Sequence, residues 1–359
     1  MDFEEFRERL MEDLKDSLHD RTGKEYTADA NHVKKLQNAD YDGIVIRPEG
    51  DQVGVNLDAQ MLFKAYESGK SYDEVVEQAT NIVAEGFENQ PSFSVEDFSN
   101  YDVMKEKLAI QVVSTERNTE MLEKIPHKEV EDMSMVCRFV VGNNENEMGT
   151  VLVTNQMLES YGITGEQLFN DAAKYAPELR PSEIKGMADV LAEMMGVDVS
   201  ELGETMGMPE SPELPMYVAS THDKMNGAGI IGYPGFMDMA SEKVGGDFFL
   251  LPSSVHEVLL IPDDGKTDYR NLESMVREVN ATQVELKDQL SDNVYHYDSK
   301  EKVFELAEKF DARKKERTSE KGDKEKGSVL KDLDSKKKEI SDKPKDKAPK
   351  AHKKEDMSL

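Results

Sequence analysis

The chain has 359 residues, 37% apolar and 33% charged, with 74 Asp/Glu against 45 Lys/Arg for a formal charge of −29. That leaves room for about two domains, offers no run near the roughly 18 apolar residues of a transmembrane helix, and disfavours contact with nucleic acid or anionic lipid. The single cysteine, Cys137, excludes an intramolecular disulfide.

The N-terminus, MDFEEFRERLMEDLKD, lacks the basic-then-apolar order of a secretory signal, and with one cysteine the expectation is a cytoplasmic protein. Phe3, Phe6, Leu10, Leu14 and Leu18 form one stripe at helical spacing. Short alternating runs at 43–47 and 52–57 predict a β-hairpin. Residues 58–68 predict a helix closed by Gly69, and Ser71 with Glu74 forms a capping box that opens another. Beyond a break at Pro91, the pattern predicts a helix over 95–107, a strand over 108–114 and a short helix over 118–124. Strands over 133–141 and 149–154 then face one another. Cys137 lies in the first of these, as a small buried side chain rather than a nucleophile. Thr164 and Gln167 form a second capping box. A helix is expected over 183–195, a Met-rich mobile loop over 198–215, and strands over 216–220 and 227–232. A helix over 236–244 follows, then strands over 247–251 and 257–261, a helix over 271–279, and a last hairpin from 293–297 and 302–306.

Strand pairs with helices between them predict an α+β protein with mostly antiparallel sheets, not a regular βαβ repeat. The boundaries expected are 1–90 for a helix–hairpin–helix–helix unit, 91–310 for a central and C-terminal α+β domain, and 311–359 for a disordered charged tail. The tail carries 17 Lys/Arg against 12 Asp/Glu, and the first 310 residues carry 28 against 62. The body is therefore strongly acidic and favours cationic partners.

Chemistry-bearing side chains crowd at one place. Two apolar runs flank Pro252-Ser253-Ser254-Val255-His256-Glu257, so Ser253, Ser254, His256 and Glu257 are the candidate catalytic residues. A base beside a hydroxyl can activate it as a nucleophile. The structural alternative is that the serines satisfy backbone groups of the turn while His256 and Glu257 point to opposite faces of a strand. No G-x-S-x-G elbow is present. The nearby NGAGIIGYPG supplies the candidate binding residues Asn226, Gly227 and Tyr233, but it completes neither a P-loop nor a G-x-G-x-x-G pattern. The seven histidines are scattered and no metal-ligand spacing occurs, so neither metal nor cofactor is expected.

The order of HKEVEDMSMVCRFVV, VLVTNQMLESYGITGEQLFNDAAKYAPEL, MYVASTHDKMNGAGIIGYPG, DFFLLPSSVHEVLLIP and LSDNVYHYD resembles the clostridial family catalogued as domain of unknown function 5688, over roughly residues 1–300. VNLDAQMLFKAYESG and ESYGITGEQLFNDAA are faintly similar to the YtpQ-like family of Firmicutes. The resemblance implies a cytoplasmic bacterial protein and brings no substrate, cofactor or catalytic residue. The functional expectation is a non-catalytic interaction or regulatory protein with a protein partner, and with no role at nucleic acid or membrane. The alternative is a hydrolase-like enzyme centred on the PSSVHE hairpin.

Overall fold

The computed structural model describes residues 1–51, 53–88, 95–144, 147–199, 201, 215–252 and 254–317. Residues 1–307 form one compact unit, and a second unit begins at Glu308. Of the charged tail, residues 311–317 are described and are helical.

Helix α1, Phe3–Thr22, starts where the Asp2 carboxylate accepts the Glu5 N–H at 2.9 Å, and stops at Gly23 with φ of 69°. Phe6, Leu10, Leu14 and Leu18 follow at one-turn spacing and are completely buried. They pack on an antiparallel sheet of β1 (Tyr26–Val33), β2 (Tyr41–Pro48) and β3 (Val55–Asp58). The β2–β3 pair is the hairpin expected from the sequence. Strand β1 was not expected, because Tyr26 is its only buried residue and its face carries no apolar alternation. Helix α2 (Ala59–Glu67) and helix α3 (Tyr72–Glu88) complete this layer. The Ser71–Glu74 capping box forms: Glu74 Oε2 accepts the Ser71 N–H at 2.8 Å, and Ser71 Oγ accepts the Glu74 N–H at 3.3 Å. The layer has its own core of α1 side chains with Ile44, Ile46, Leu57, Leu62, Val75, Ala79 and Val83.

In place of one helix over 95–107 there are three short elements, α4 (Val95–Phe98), α5 (Tyr101–Met104) and a 3₁₀ turn (Lys105–Lys107). The Asn100 side chain accepts the Asp102 N–H at 3.0 Å and restarts the helix there. A second antiparallel sheet places β4 (Leu108–Ser114) beside β6 (Met133–Asn144), with α6 (Thr119–Leu122) and the exposed strand β5 (His127–Val130) between them in sequence. Strands β5 and β7 (Glu147–Leu152) both pair with β6. Helices α7 (Asn155–Tyr161) and α8 (Gly165–Leu179) follow, with Thr164 Oγ1 accepting the Gln167 N–H at 3.1 Å.

The third sheet, among the described residues, runs β13-β12-β10-β11-β9-β8 and is antiparallel throughout. Its strands are β8 (Ser182–Gly186), β9 (Tyr217–Thr221), β10 (Phe248–Leu251), β11 (Val258–Pro262), β12 (Tyr295–Asp298) and β13 (Val303–Leu306). Three helices accompany it: α9 (Met187–Met195), α10 (Phe236–Val244) and α11 (Tyr269–Thr282).

Two expectations fail here. The helix over 183–195 is instead strand β8 followed by α9, because pairing with β9 overrides the helix propensity of Glu183 and Lys185. The strand over 227–232 is instead a 3₁₀ helix, Gly227–Gly232. Its residues Gly227 to Ile231 are all buried, and an apolar run buried on every side has no period to separate strand from helix. The Met-rich loop at 198–215 lies for the most part outside the described residues.

The second and third sheets share one core. Ile110, Val112, Cys137 and Phe139 from one meet Phe248, Leu250, Leu260 and Tyr295 from the other, with Ala228 and Ile230 of the 3₁₀ segment among them. Burial pushes the Cys137 thiol pKa up, which keeps it protonated and inert.

Candidate functional site

The PSSVHE segment joins β10 to β11, with Leu251 opposite Leu259. Ser253 lies outside the described residues. The Ser254 N–H donates to the Glu257 carbonyl at 3.2 Å, and Ser254 Oγ accepts the His256 N–H at 3.0 Å. Ser254 therefore closes its own turn, and Glu257 contributes its carbonyl to the same turn. Distant segments then hold the loop. The Val255 N–H donates to the Asp288 carbonyl at 2.7 Å, and the Val255 carbonyl accepts the Ala228 N–H at 3.1 Å. The His256 carbonyl accepts the Ser220 hydroxyl at 2.7 Å. Val255 itself is buried in the shared core.

The His256 ring is engaged at both nitrogens. The Asn226 backbone N–H donates to Nδ1 at 3.2 Å. Nδ1 must then carry the lone pair, so the neutral ring holds its proton on Nε2, which faces Asp288 Oδ1 at 3.4 Å. Asn226 sits in the left-handed region, φ 51°, where Asn is one of the few tolerated side chains. Its side-chain Oδ1 accepts from Gln111 Nε2 at 3.1 Å. Gln111 Oε1 accepts from Arg138 Nη1 at 3.2 Å, and Arg138 Nε donates to Thr150 Oγ1 at 2.9 Å. An unbroken polar chain thus runs Thr150–Arg138–Gln111–Asn226–His256–Asp288, from the second sheet to the third.

The structure therefore brings together Asn226 and His256, which the sequence reading had placed in separate motifs. It also adds Gln111, Arg138, Thr150 and Asp288. A signal for two of these was present: Gln111 interrupts LAIQVV and Arg138 interrupts MVCRFVV, each a lone polar residue in an apolar run. A buried polar group needs a partner, but no local pattern says which.

Gly227 has a steric role. A Cβ there would overlap Ser220 Oγ and the His256 carbonyl oxygen, and would come within 2.8 Å of the Thr221 nitrogen. At Gly229 it would overlap the Ile110 carbonyl oxygen, and at Gly232 it would lie 2.5 Å from the Met135 sulfur. These glycines let the 3₁₀ backbone lie directly against β4 and β9. Tyr233 closes the motif. Its hydroxyl donates to the Arg180 carbonyl at 3.0 Å, and burial raises its pKa to about 12.

Arg180 is itself buried. It meets Asp223 through Nε at 2.8 Å and through Nη2, which also reaches Thr221 Oγ1 at 3.1 Å and the Met225 carbonyl. Burial pulls the Asp223 pKa upward, but hydrogen bonds from Arg180, the Met225 N–H and Thr221, together with the Arg180 charge, outweigh it and hold the carboxyl below the ordinary range.

Two open grooves lie away from this chain. One of about 540 Å³ runs between α1 and α3, lined by Arg9, Asp13, Arg21, Tyr72 and Glu77, and one of about 710 Å³ borders β5 and α8 at His127, Asn155, Leu158 and Phe169. Among the described residues no group of three or more His, Cys, Asp or Glu is placed to hold a metal ion, and no helix is long and apolar enough to cross a membrane. His296, fully buried on β12, faces Asp263 at 3.1 Å.

Three antiparallel sheets with packed helices, two of them fastened by a glycine-rich 3₁₀ clamp and a polar chain, define an α+β protein. The chain belongs to the family of unknown function DUF5688, whose profile matches residues 3–299. No curated protein and no solved structure matches it.

Proposed function

We propose that this is a non-catalytic interaction or regulatory protein of the bacterial cytoplasm, acting on a cationic protein partner rather than on nucleic acid or a membrane. The observation that carries this reading is the engagement of the would-be catalytic groups. Both His256 nitrogens are engaged, Nδ1 by a backbone N–H, and Ser254 Oγ accepts the His256 N–H of its own turn. A general base needs a lone pair aimed at the proton it removes, and here that lone pair supports the Asn226 turn. The excess of 62 acidic over 28 basic residues in the first 310 supports a partner of opposite charge.

The test compares melting curves with cellular complementation for Ser254→Ala and His256→Ala. The proposal expects Ser254→Ala to lower stability and complementation to follow the folded fraction in both variants. Intact folding with abolished function in both would overturn it in favour of the hydrolase-like reading. Recovery of a stoichiometric basic partner by the full-length protein, weakened by salt, is the positive expectation. Absence of such a partner across several growth conditions counts against it.

A further inference from the structure

Arg138 occupies the middle of β6, between Ala109 of β4 and Leu152 of β7. It is largely buried, and burial pulls its pKa downward, with no carboxylate charge offsetting this among the described residues. This is unusual in so acidic a chain, and it contrasts with Arg180, which is buried against Asp223. A buried charge is costly to leave unpaired.

The hydrogen bonds around it have a fixed direction. A guanidinium can only donate. Arg138 therefore obliges Gln111 to turn its oxygen toward Nη1 and its NH₂ toward Asn226. Asn226 must then present its oxygen to Gln111, which leaves its own NH₂ out of that bond. Of the five guanidinium N–H groups, one reaches Thr150 and one reaches Gln111. Nη2 has no protein partner among the described residues, yet it is not among the buried atoms that lack one, so it keeps contact with solvent. The same holds for Asn226 Nδ2. Two sets of donors, one carboxamide apart, thus open to solvent. Asn226 is held in place from behind by its backbone bond to His256 and by the close seat of Gly227.

We propose that Arg138 and Asn226 form a binding site for a small oxyanion group, a carboxylate or a phosphate. The guanidinium keeps three N–H groups, one on Nη1 and two on Nη2, and a side-by-side pair with one from each nitrogen matches two oxygens of one such group, while the Asn226 amide supplies a further donor. The acidic body opposes anion approach at long range, but salt screens that field beyond roughly 8 Å at physiological strength, so the local donors decide affinity. The site is independent of the functional reading above, because its readout is binding rather than phenotype.

The experiment titrates the full-length protein with sodium phosphate, sodium acetate and sodium chloride at matched ionic strength, following heat of binding and thermal midpoint. A saturable rise in midpoint with one of the two oxyanions, absent with chloride, is expected, since a ligand of the native state stabilises it by mass action. The tighter of phosphate and acetate identifies the group. Arg138→Met should abolish the effect, and Arg138→Lys, which keeps charge but loses the fork, should weaken it about tenfold. Asn226→Gly keeps the left-handed backbone, removes only the carboxamide, and should weaken binding several-fold. Two results overturn the site: no saturable binding by either oxyanion, or equal binding by wild type and Arg138→Met. Should Arg138→Met fail to fold, wild-type affinity in both Arg138→Lys and Asn226→Gly overturns it equally.

Discussion

The N-terminal layer and the 226–257 region are stabilised in opposite ways. In the first, bulky side chains fill space: Phe6, Leu10, Leu14 and Leu18 project from one helix face into a core of their own. In the second, space is left unfilled by side chains so that backbones can touch. Gly227, Gly229 and Gly232 keep Cβ atoms away from β4 and β9, and single hydrogen bonds hold the PSSVHE turn to three distant segments. Stability in one region rises with the volume a side chain fills. In the other it depends on volume kept empty and on individual polar atoms being satisfied.

The largest effect should come from breaking the second mode. Gly229→Ala places a methyl on the Ile110 carbonyl, which cannot yield without moving β4, and should cost about 3 kcal/mol or more in equilibrium denaturation. Gly165→Ala is the control: a Cβ there meets nothing within 4 Å at the start of α8, and the change should be neutral or stabilise by about 0.5–1 kcal/mol. Equal losses from both would erase the distinction between the two regions.

Breaking the first mode comes next. Leu14→Ala should cost about 2–5 kcal/mol through the cavity it leaves. Leu260→Ala, equally buried in the shared core, should fall in the same range. A neutral result at Leu260 would place the β10–β11 hairpin at the surface. Leu14 and Gly229 belong to separate packing groups, so their double mutant should add to within about 0.5 kcal/mol.

Single polar atoms should matter less. Ser254→Ala removes the acceptor of the His256 N–H and should lower stability by about 0.5–2 kcal/mol, as for a lost local cap. His256→Ala should cost about 1 kcal/mol, because the ring is 44% exposed and water can reach the freed Asn226 N–H. A much larger loss at His256 would mean that the polar chain acts as a unit.

The last comparison concerns the pH dependence at Asp223. Its pKa is held below the ordinary carboxylate value in the folded state. Its contribution to stability is therefore complete above the unfolded value of about 4 and is lost as pH falls through the lower folded value. Melting midpoints recorded from neutral to acid pH should decline in that window for wild type, and Asp223→Asn should show a shallower acid limb. An unchanged limb would assign the acid sensitivity to other carboxylates.

Much of the fold could be read from the chain because helix and strand periods are local properties. The stripe in α1, the capping boxes at Ser71 and Thr164, and the apolar runs of β4, β6, β10 and β11 each carry their own signal within a few residues. Strands β1, β5 and β8 could not be read this way, since they are polar or half-exposed and exist because a neighbouring strand supplies their hydrogen bonds. At the site, the sequence marked Ser254, His256, Asn226 and Gly227 as polar or flexible residues between apolar runs.

Their partners are another matter. Gln111 meets Asn226 across 115 residues, and Asn226 meets His256 across 30. Sequence by itself determined which segments carry an apolar face, where the capped helices α3 and α8 start, and that the protein is an acidic α+β chain. Only the tertiary structure decided that Gly227–Gly232 coils rather than extends, that the His256 lone pair supports a turn, and that Arg138 is largely buried with no carboxylate beside it among the described residues. A period is written into consecutive residues, whereas a hydrogen bond between distant segments depends on where the packed sheets bring their atoms.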